Sequence, residues 1–382
     1  MILALTAQQK ADQASFKAFV DEHIAPNADR HDREEALPQA LIQKLAQQHY
    51  LVPTLPCEAG GANMDLFTYG LLTEEIGRGC ASVRNLLGVS GMVAHAILKW
   101  GSQAQKKKWL PRLASGDLMA AFALTEPHVG SDAGHITTTA TPSGNTYNLH
   151  GCKKWISFGQ TADLFLVFAQ CDGKPAAFVV ERNTPGLSVK PISGLLGLRA
   201  SMLAELHLGG CHIPQENLVG AVGAGFAWVA SSALDYGRYS TACGCVGLAQ
   251  ACLDACRCYT QERRQFGAFL KDHQLIQRMM TDMIANISAG RLLCYRAGYL
   301  RTSGDPDAIE ATLIAKYFTS TITPQIATDA VQIHGANGCS DDYPVQRYLR
   351  DAKIMEIIEG TTQIHQLKIA EFAYSGFHAD RR

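Results

Sequence analysis

The sequence predicts an α+β fold in three zones: an N-terminal helical domain over 1–117, a central β-barrel or sandwich domain over 118–224, and a C-terminal four-helix bundle over 225–382. Three observations carry this. Apolar residues recur at helical spacing through the first zone, and short apolar runs bounded by turn residues fill the second. Helical spacing then returns in runs longer than the average globular helix. Helices, then strands, then helices is not the βαβ alternation of a parallel-sheet nucleotide fold.

Each element follows from local pattern. Ala40-Leu41-Leu45-Ala46 and Leu71-Leu72-Ile76 recur at 3–4 spacing, and Pro53, Pro56 and Gly60-Gly61 mark the loop between them. Residues 121–124, 164–169, 176–180 and 203–208 read as strands, set off by Ser143-Gly144-Asn145, Asp172-Gly173 and Pro185-Gly186. Beyond Gly225, residues 226–263 and 272–302 read as long helices of a bundle.

Composition narrows the function classes. The 382 residues are 47% hydrophobic and 18% charged, against a usual charged share of about 25%, which points to surface buried between subunits. Lys+Arg 34 against Asp+Glu 35 leaves a net charge of -1, with no polybasic footprint for nucleic acid. Twelve cysteines are too few for a disulfide scaffold. The start MILALTAQQK has no basic segment of a signal peptide, so a cytoplasmic protein with reduced thiols is expected. The uncharged run between Glu216 and Asp235 touches the lower length limit of a membrane span. Its glycines at 220, 223 and 225 favour a loop entering a buried helix, and no membrane span is expected.

The familiar nucleotide motifs fail. A dinucleotide loop over Gly220-Ala-Val-Gly223-Ala-Gly225 would need a glycine where Trp228 stands. No phosphate-loop pattern and no His-Glu-x-x-His occurs. Cys243, Cys245, Cys252, Cys256 and Cys258 contain no Cys-x-x-Cys pair and read as small residues for close helix packing. Lys106-Lys107-Lys108 reads as a solvated face. Arg263-Arg264 before Gln265-Phe266-Gly267 ends a long helix, where cations also favour the dipole. Glu359 follows Ile357-Ile358 and precedes Gly360-Thr361. An apolar wall raises a carboxyl pKa and suits a general base, while a solvated glutamate before a helix is the competing reading of that segment.

Six ordered segments together resemble the acyl-CoA dehydrogenase family of flavoproteins over nearly the whole chain. They are Ala121-Phe-Ala-Leu-Thr125-Glu126-Pro-His-Val-Gly130-Ser131-Asp132, Gly151-Cys-Lys-Lys-Trp155-Ile-Ser157, Leu234-Asp235-Tyr-Gly-Arg238, Glu262-Arg263-Arg264-Gln265-Phe266-Gly267, Asp329-Ala-Val-Gln332-Ile-His-Gly335-Ala-Asn-Gly338 and the Glu359 segment. The resemblance implies FAD held between the β-domain and the bundle, partly by a neighbouring subunit, in a homotetramer or homodimer. It implies that Phe122, Leu124 and Thr125 line the flavin pyrimidine and that Trp155 and Ser157 flank the ring. Arg263, Gln265 and Phe266 would cradle the pyrophosphate and adenine side, and Gln332 and Gly335 would contact adenosine diphosphate across an interface. Thr361 and Gln363 would close the site. Glu359 would be the base, taking an α-proton as a hydride leaves for the flavin. Ser131, Asp235, Arg238 and Gly360 would meet the substrate arm or position the base loop.

The departures matter as well. Fatty-acid members usually carry an aromatic before the base and Gly-Ala-Gly-Ser-Asp in the first motif, whereas this chain has Ile358 and His128-Val129-Gly130-Ser131-Asp132. Together with Ser157-Phe-Gly-Gln160, residues 199–206 and Ile333-His-Gly-Ala-Asn-Gly-Cys339, this resembles a branch that makes hydroxymalonyl- or aminomalonyl-carrier-protein extender units for polyketide and nonribosomal peptide pathways. That likeness implies a short polar acyl group on an acyl carrier protein. An ordinary short-chain acyl-CoA dehydrogenase, with a CoA thioester, and a non-catalytic flavin-binding relative are the alternatives. Retention of Glu359 argues against the last. The sequence does not name the electron acceptor, and no metal site is expected.

Overall fold

A computed structural model describes residues 4–374, so the outermost positions of the first and last expected zones lie outside the described residues. Six helices come first: α1 (Ala7–His23), α2 (Ala28–Glu34), α3 (Gln39–Gln47), α4 (Leu66–Gly79), α5 (Ala81–Trp100) and α6 (Gln103–Ala114). Their starts are specified locally. Thr6 with Gln9, and Ser102 with Gln105, form capping boxes on α1 and α6, and the Asp65 carboxylate accepts from the first amides of α4. Among the described residues α5 is the one helix long and apolar enough to cross a membrane, and 89% of its apolar window is buried in the core.

The central zone is one mixed eight-stranded sheet built from β1 (Ala120–Ala123), β2 (Thr139–Ser143), β3 (Thr146–Ile156), β4 (Leu164–Cys171), β5 (Lys174–Glu181), β6 (Leu187–Pro191), β7 (Ala204–Pro214) and β8 (Leu218–Val219). Its order is β6-β7-β3-β2-β4-β5-β8, and β1 runs parallel to β4 on the edge that β2 also touches. Successive residues of β4 serve two cores. Phe165, Val167 and Ala169 fill the interior of the sheet domain, while Leu164, Leu166 and Phe168 join the helical core. A strand buried on both faces reads as an unbroken apolar run, which is how 164–169 looked in the sequence.

A π-helical turn, Gly225–Ala230, feeds α7 (Ser231–Glu262). The short hairpin β9 (Arg264–Gln265) and β10 (Ala268–Phe269) follows, then α8 (Gln274–Thr302), α9 (Ala308–His334), α10 (Val345–Met355) and α11 (Thr362–Tyr374). Helix α7 is the hub, packed on α4, α5, α8 and α9. Its crossing with α4 is close enough that a Cβ on Gly247 would sit 1.9 Å from the Glu74 carbonyl oxygen. All twelve cysteines are free, and Cys243, Cys245, Cys252 and Cys256 pack into this core as small residues.

Candidate active site

Between α10 and α11 the chain reverses through residues 356–361, with Glu359 at φ 57° and Gly360 at φ 95°. A glutamate in the left-handed region is strained unless its surroundings hold it there. Two cations do so. Arg238 Nε, on α7, donates to the Glu359 carbonyl at 3.0 Å, and Lys316 Nζ, on α9, donates to the Gly360 carbonyl at 2.8 Å. The Glu359 carboxylate lies against Gly237, where a Cβ would come within 2.8 Å of its Cδ and Oε1. Oε2 is shut from solvent and has no partner. Burial pushes the carboxyl up to about 7, and Arg238, Arg84 and Lys316 offset only part of that. The result is a proton acceptor poised near neutrality with one oxygen free.

Arg84 on α5 is a residue that the sequence reading passed over. It is 1% exposed, its Nη1 donates to Thr241 Oγ1 at 3.2 Å, its Nη2 lies 3.5 Å from Met355 Sδ, and its Nε has no partner. No carboxylate among the described residues pairs with it. A signal existed, since Arg84 is the one Lys, Arg, Asp or Glu between Arg78 and Lys99. Its neighbour Asn85 points the other way, donating to Ser157 Oγ at 3.2 Å and Ser201 Oγ at 3.1 Å. One turn of α5 thus joins the Glu359 wall to the β-domain.

On the β-domain side, Trp155 sits at φ 62° with 50% of its surface exposed and Lys154 over its ring at 5.2 Å. A half-uncovered indole on a strained backbone offers a flat apolar face beside Ser157. Phe122 lies on β1, and the chain just after it is pinned to β3. The Leu124 carbonyl accepts from Lys153 Nζ at 3.1 Å, and the Thr125 carbonyl accepts from the Lys154 amide at 2.9 Å. Beneath them the buried Glu126 carboxylate accepts from Lys153 Nζ and from the amides and hydroxyls of Thr137 and Thr138, at 2.6–2.9 Å. Burial opposes ionisation there, but these donors outweigh it and hold the carboxyl down to about 2.

The remaining expected residues divide into three groups. Asp235 turns to Arg301, at 2.6 Å, and leaves Oδ1 buried without a partner. Ser131 is exposed on the loop after β1, Thr361 Oγ1 accepts from the Ile364 amide at 3.3 Å as α11 starts, and Gln363 faces solvent. Arg263, Gln265 and Phe266 are exposed at the far end of α7, with Phe266 98% exposed at φ 50°. Exposed Gln332 and Gly335 share that end, because Tyr259 stacks on His334 at 4.2 Å and its hydroxyl donates to the His334 carbonyl. Gly237, against Glu359, and Arg263 bound a helical span of about 39 Å at 1.5 Å per residue. Within one chain the Arg263 group therefore does not meet Glu359.

Comparison with known proteins finds likeness along nearly the whole chain. Family models described as acyl-CoA dehydrogenase N-terminal, middle and C-terminal domains match residues 6–117, 121–211 and 223–374. The chain is 38% identical over 378 residues to an acyl-CoA dehydrogenase of Bacillus subtilis, covering 97% of this chain and 99% of that one. It is also 38% identical over 358 residues to the mitochondrial short-chain specific acyl-CoA dehydrogenase of Rattus norvegicus, covering 92% and 86%. Among solved structures, a glutaryl-coenzyme A dehydrogenase in complex with glutaryl-CoA superposes with a TM-score of 0.95 at 35% identity, covering 100% and 99%. A prolyl acyl carrier protein oxidase, AnaB, gives 0.92 at 27% identity, covering 97% and 100%. FkbI, for biosynthesis of a methoxymalonyl extender unit, gives 0.86 at 30%, covering 95% and 99%. With all three domains matched in order, the chain belongs to the acyl-CoA dehydrogenase family of FAD-dependent enzymes.

Proposed function

We propose that this enzyme dehydrogenates a short acyl-CoA thioester whose acyl group ends in a polar or anionic substituent. Glu359 takes the α-proton on its free oxygen, and Arg238 and Lys316 keep that oxygen aimed by holding the two carbonyls of its turn. What FAD supplies when bound is a two-electron acceptor for the hydride. Trp155 and Ser157, with Phe122, Leu124 and Thr125, fit its ring by the uncovered indole face and the pinned β1 exit. The thioester carbonyl, charged as the proton leaves, needs donors such as the Glu359 amide, which fits the role of an oxyanion donor.

Arg84 carries the substrate reading. A purely hydrocarbon acyl end would leave its guanidinium buried and its Nε unmet, at a cost that a carboxylate or hydroxyl relieves. Short-chain relatives at 38% identity support a short acyl group, and a neighbour whose CoA substrate ends in a carboxylate supports the anionic end. Wild-type holoenzyme is expected to favour glutaryl-CoA or a hydroxyacyl-CoA over butyryl-CoA. Arg84→Met is expected to lower kcat/KM for the polar substrate about 10- to 100-fold, the scale of a charged hydrogen bond, while sparing butyryl-CoA. Equal losses on both substrates, or a wild-type preference for butyryl-CoA, would remove this reading.

A second reading keeps the same chemistry and places the acyl group on a carrier protein, as in polyketide or nonribosomal peptide extender-unit formation. AnaB and FkbI favour it, at 27% and 30% identity against the 38% of the Bacillus subtilis acyl-CoA dehydrogenase. Parallel mass-spectrometric assays of one acyl group on CoA and on a loaded carrier decide between the two. Electrons would pass on to an electron-transferring flavoprotein, the kind of protein named for one structural neighbour.

The long separation along α7 supports a dimer or tetramer in which Arg263, Gln265, Phe266, Gln332 and Gly335 serve the FAD of another copy. Because Arg263 is exposed, Arg263→Ala is expected to leave the melting temperature of the FAD-free protein within a degree or two, the scale of a surface substitution. It is expected to weaken FAD binding about tenfold, the scale of one charge-assisted contact. Titration with FAD fluorescence measures it, and unchanged affinity would move the pyrophosphate contact elsewhere.

A further inference from the structure

We propose that Lys316 is a positioning residue for the reaction: its ammonium grips the Gly360 carbonyl, fixing the turn that aims Glu359, and sets a positive charge near that carboxylate. The proposal rests on the reading of Glu359 as the base.

Lys316 is wholly buried on α9, as are Leu313, Ala315, Thr319 and Ser320. Its ammonium donates to a single backbone oxygen, that of Gly360. An ammonium so placed loses hydration that one carbonyl does not restore, and an apolar side chain of similar volume commonly packs as well or better. Stability therefore does not explain it, whereas its neighbours do.

From α7, the charged or titratable groups facing Lys316 are Arg238 and the Cys245 thiol, which burial pushes up to about 11 and so keeps neutral. From α11 comes His365, which burial pushes down to about 4, so it is neutral too. From the 356–361 turn come Glu356 and Glu359. Glu356 already accepts from Lys353 Nζ at 2.7 Å. Glu359 is the carboxylate left near the buried ammonium, and Arg238 from α7 and Arg84 from α5 act on it as well. Burial pulls Lys316 itself down to about 8, which leaves it a cation at pH 7.

Arg238 Nε holds the carbonyl one residue earlier, that of Glu359. Two helices thus hold consecutive carbonyls of a left-handed pair of residues. Losing the Lys316 grip would let the turn relax and displace the carboxylate from the α-carbon.

The test uses FAD-loaded wild type, Lys316→Gln and Lys316→Met, mixed anaerobically in stopped flow with whichever of butyryl-CoA and glutaryl-CoA bleaches the wild-type flavin faster. The rate is read across pH. Lys316→Gln keeps a donor and loses the charge, so the acid limb of the bleaching rate should move up by about one pH unit while the high-pH plateau stays within about fivefold. Lys316→Met loses both, so the limb should move and the plateau should also fall about 10²-fold, as for a displaced catalytic group, with substrate affinity within about threefold. Lys316→Arg should return the limb toward wild type.

A flavin-loaded Lys316→Gln enzyme with an unmoved acid limb overturns the proposal, even if Lys316→Met fails to fold. A Lys316→Met plateau equal to wild type does the same. If Glu359→Gln bleaches as fast as wild type, the base reading itself falls. If Glu359→Gln is inactive and the Lys316→Gln limb is unmoved, only the Lys316 assignment falls.

Discussion

Glutamine in place of Glu359 is expected to leave a folded, yellow holoenzyme that turns over about 10³-fold more slowly, the scale of removing a general base. The shape of the side chain is kept, so the cations holding carbonyls 359 and 360 stay engaged while the proton acceptor is gone. Steady-state assay beside the flavin spectrum reads both halves. A yellow variant with near-normal turnover would assign the base elsewhere. In wild type the carboxyl works only when deprotonated, and burial raises it to about 7. Activity should therefore climb as pH rises through about 7, and that limb should vanish in the variant. Stability carries the opposite sign. A carboxyl raised in the folded state binds more protons folded than unfolded between its ordinary value and about 7, so ionising it costs stability as pH rises through that window. Above it, Glu359→Gln should melt at or above the wild-type temperature.

Alanine in place of Glu126 is expected to destabilise the protein by about 3–5 kcal/mol, the scale of leaving one member of a buried ion pair alone. The carboxylate gathers Lys153 and four donors from Thr137 and Thr138; with alanine the four donors lose this acceptor, and Lys153 keeps the Leu124 carbonyl but becomes a buried cation without its counter-charge. The carbonyls of Leu124 and Thr125 hang from the same arrangement, so FAD affinity should fall with the melting temperature. Its pH dependence is distinct from that of Glu359. Glu126 is depressed in the folded state to about 2, so its contribution is whole above the ordinary carboxyl range and is lost as pH falls through about 2. Wild type should lose stability through that acid window, and Glu126→Ala should lose less. A variant melting within about 1 kcal/mol of wild type, or one with an equal acid loss, would show that the pair does not brace the β-domain.

The three-zone fold was legible because its period changes are strong, and β4 was legible because it is apolar on both faces. Strand β3 was missed because it mixes His150, Lys153 and Lys154 into its alternation, and β6 because most of its residues lie open to solvent. From its own residues the Glu359 segment left a base in an apolar wall and a solvated glutamate both open, and the family resemblance favoured the base; Ile357 beside it is in fact exposed. Arg84 and Lys316 could not be assigned in the same way. Periodicity says that each lies on a helix, but their partners are Met355 and Gly360, brought up by packing. The recoverable signal is a solitary charge in an apolar helical run, as Arg84 is in α5. The π-helical turn ahead of α7 likewise has no pattern in its residues that separates it from the helix it enters.

Trp155, Phe266 and Glu359 all carry left-handed backbone, at φ 62°, 50° and 57°. Such conformations cost non-glycine residues roughly 1–2 kcal/mol each. Glycine or asparagine would take them with less strain. Screening variants of this chain for heat resistance alone would then reward replacement at these three positions, and each gain in melting temperature would erase an aromatic face or the proton acceptor. Engineering a thermostable form means freezing codons 155, 266 and 359 before the library is built.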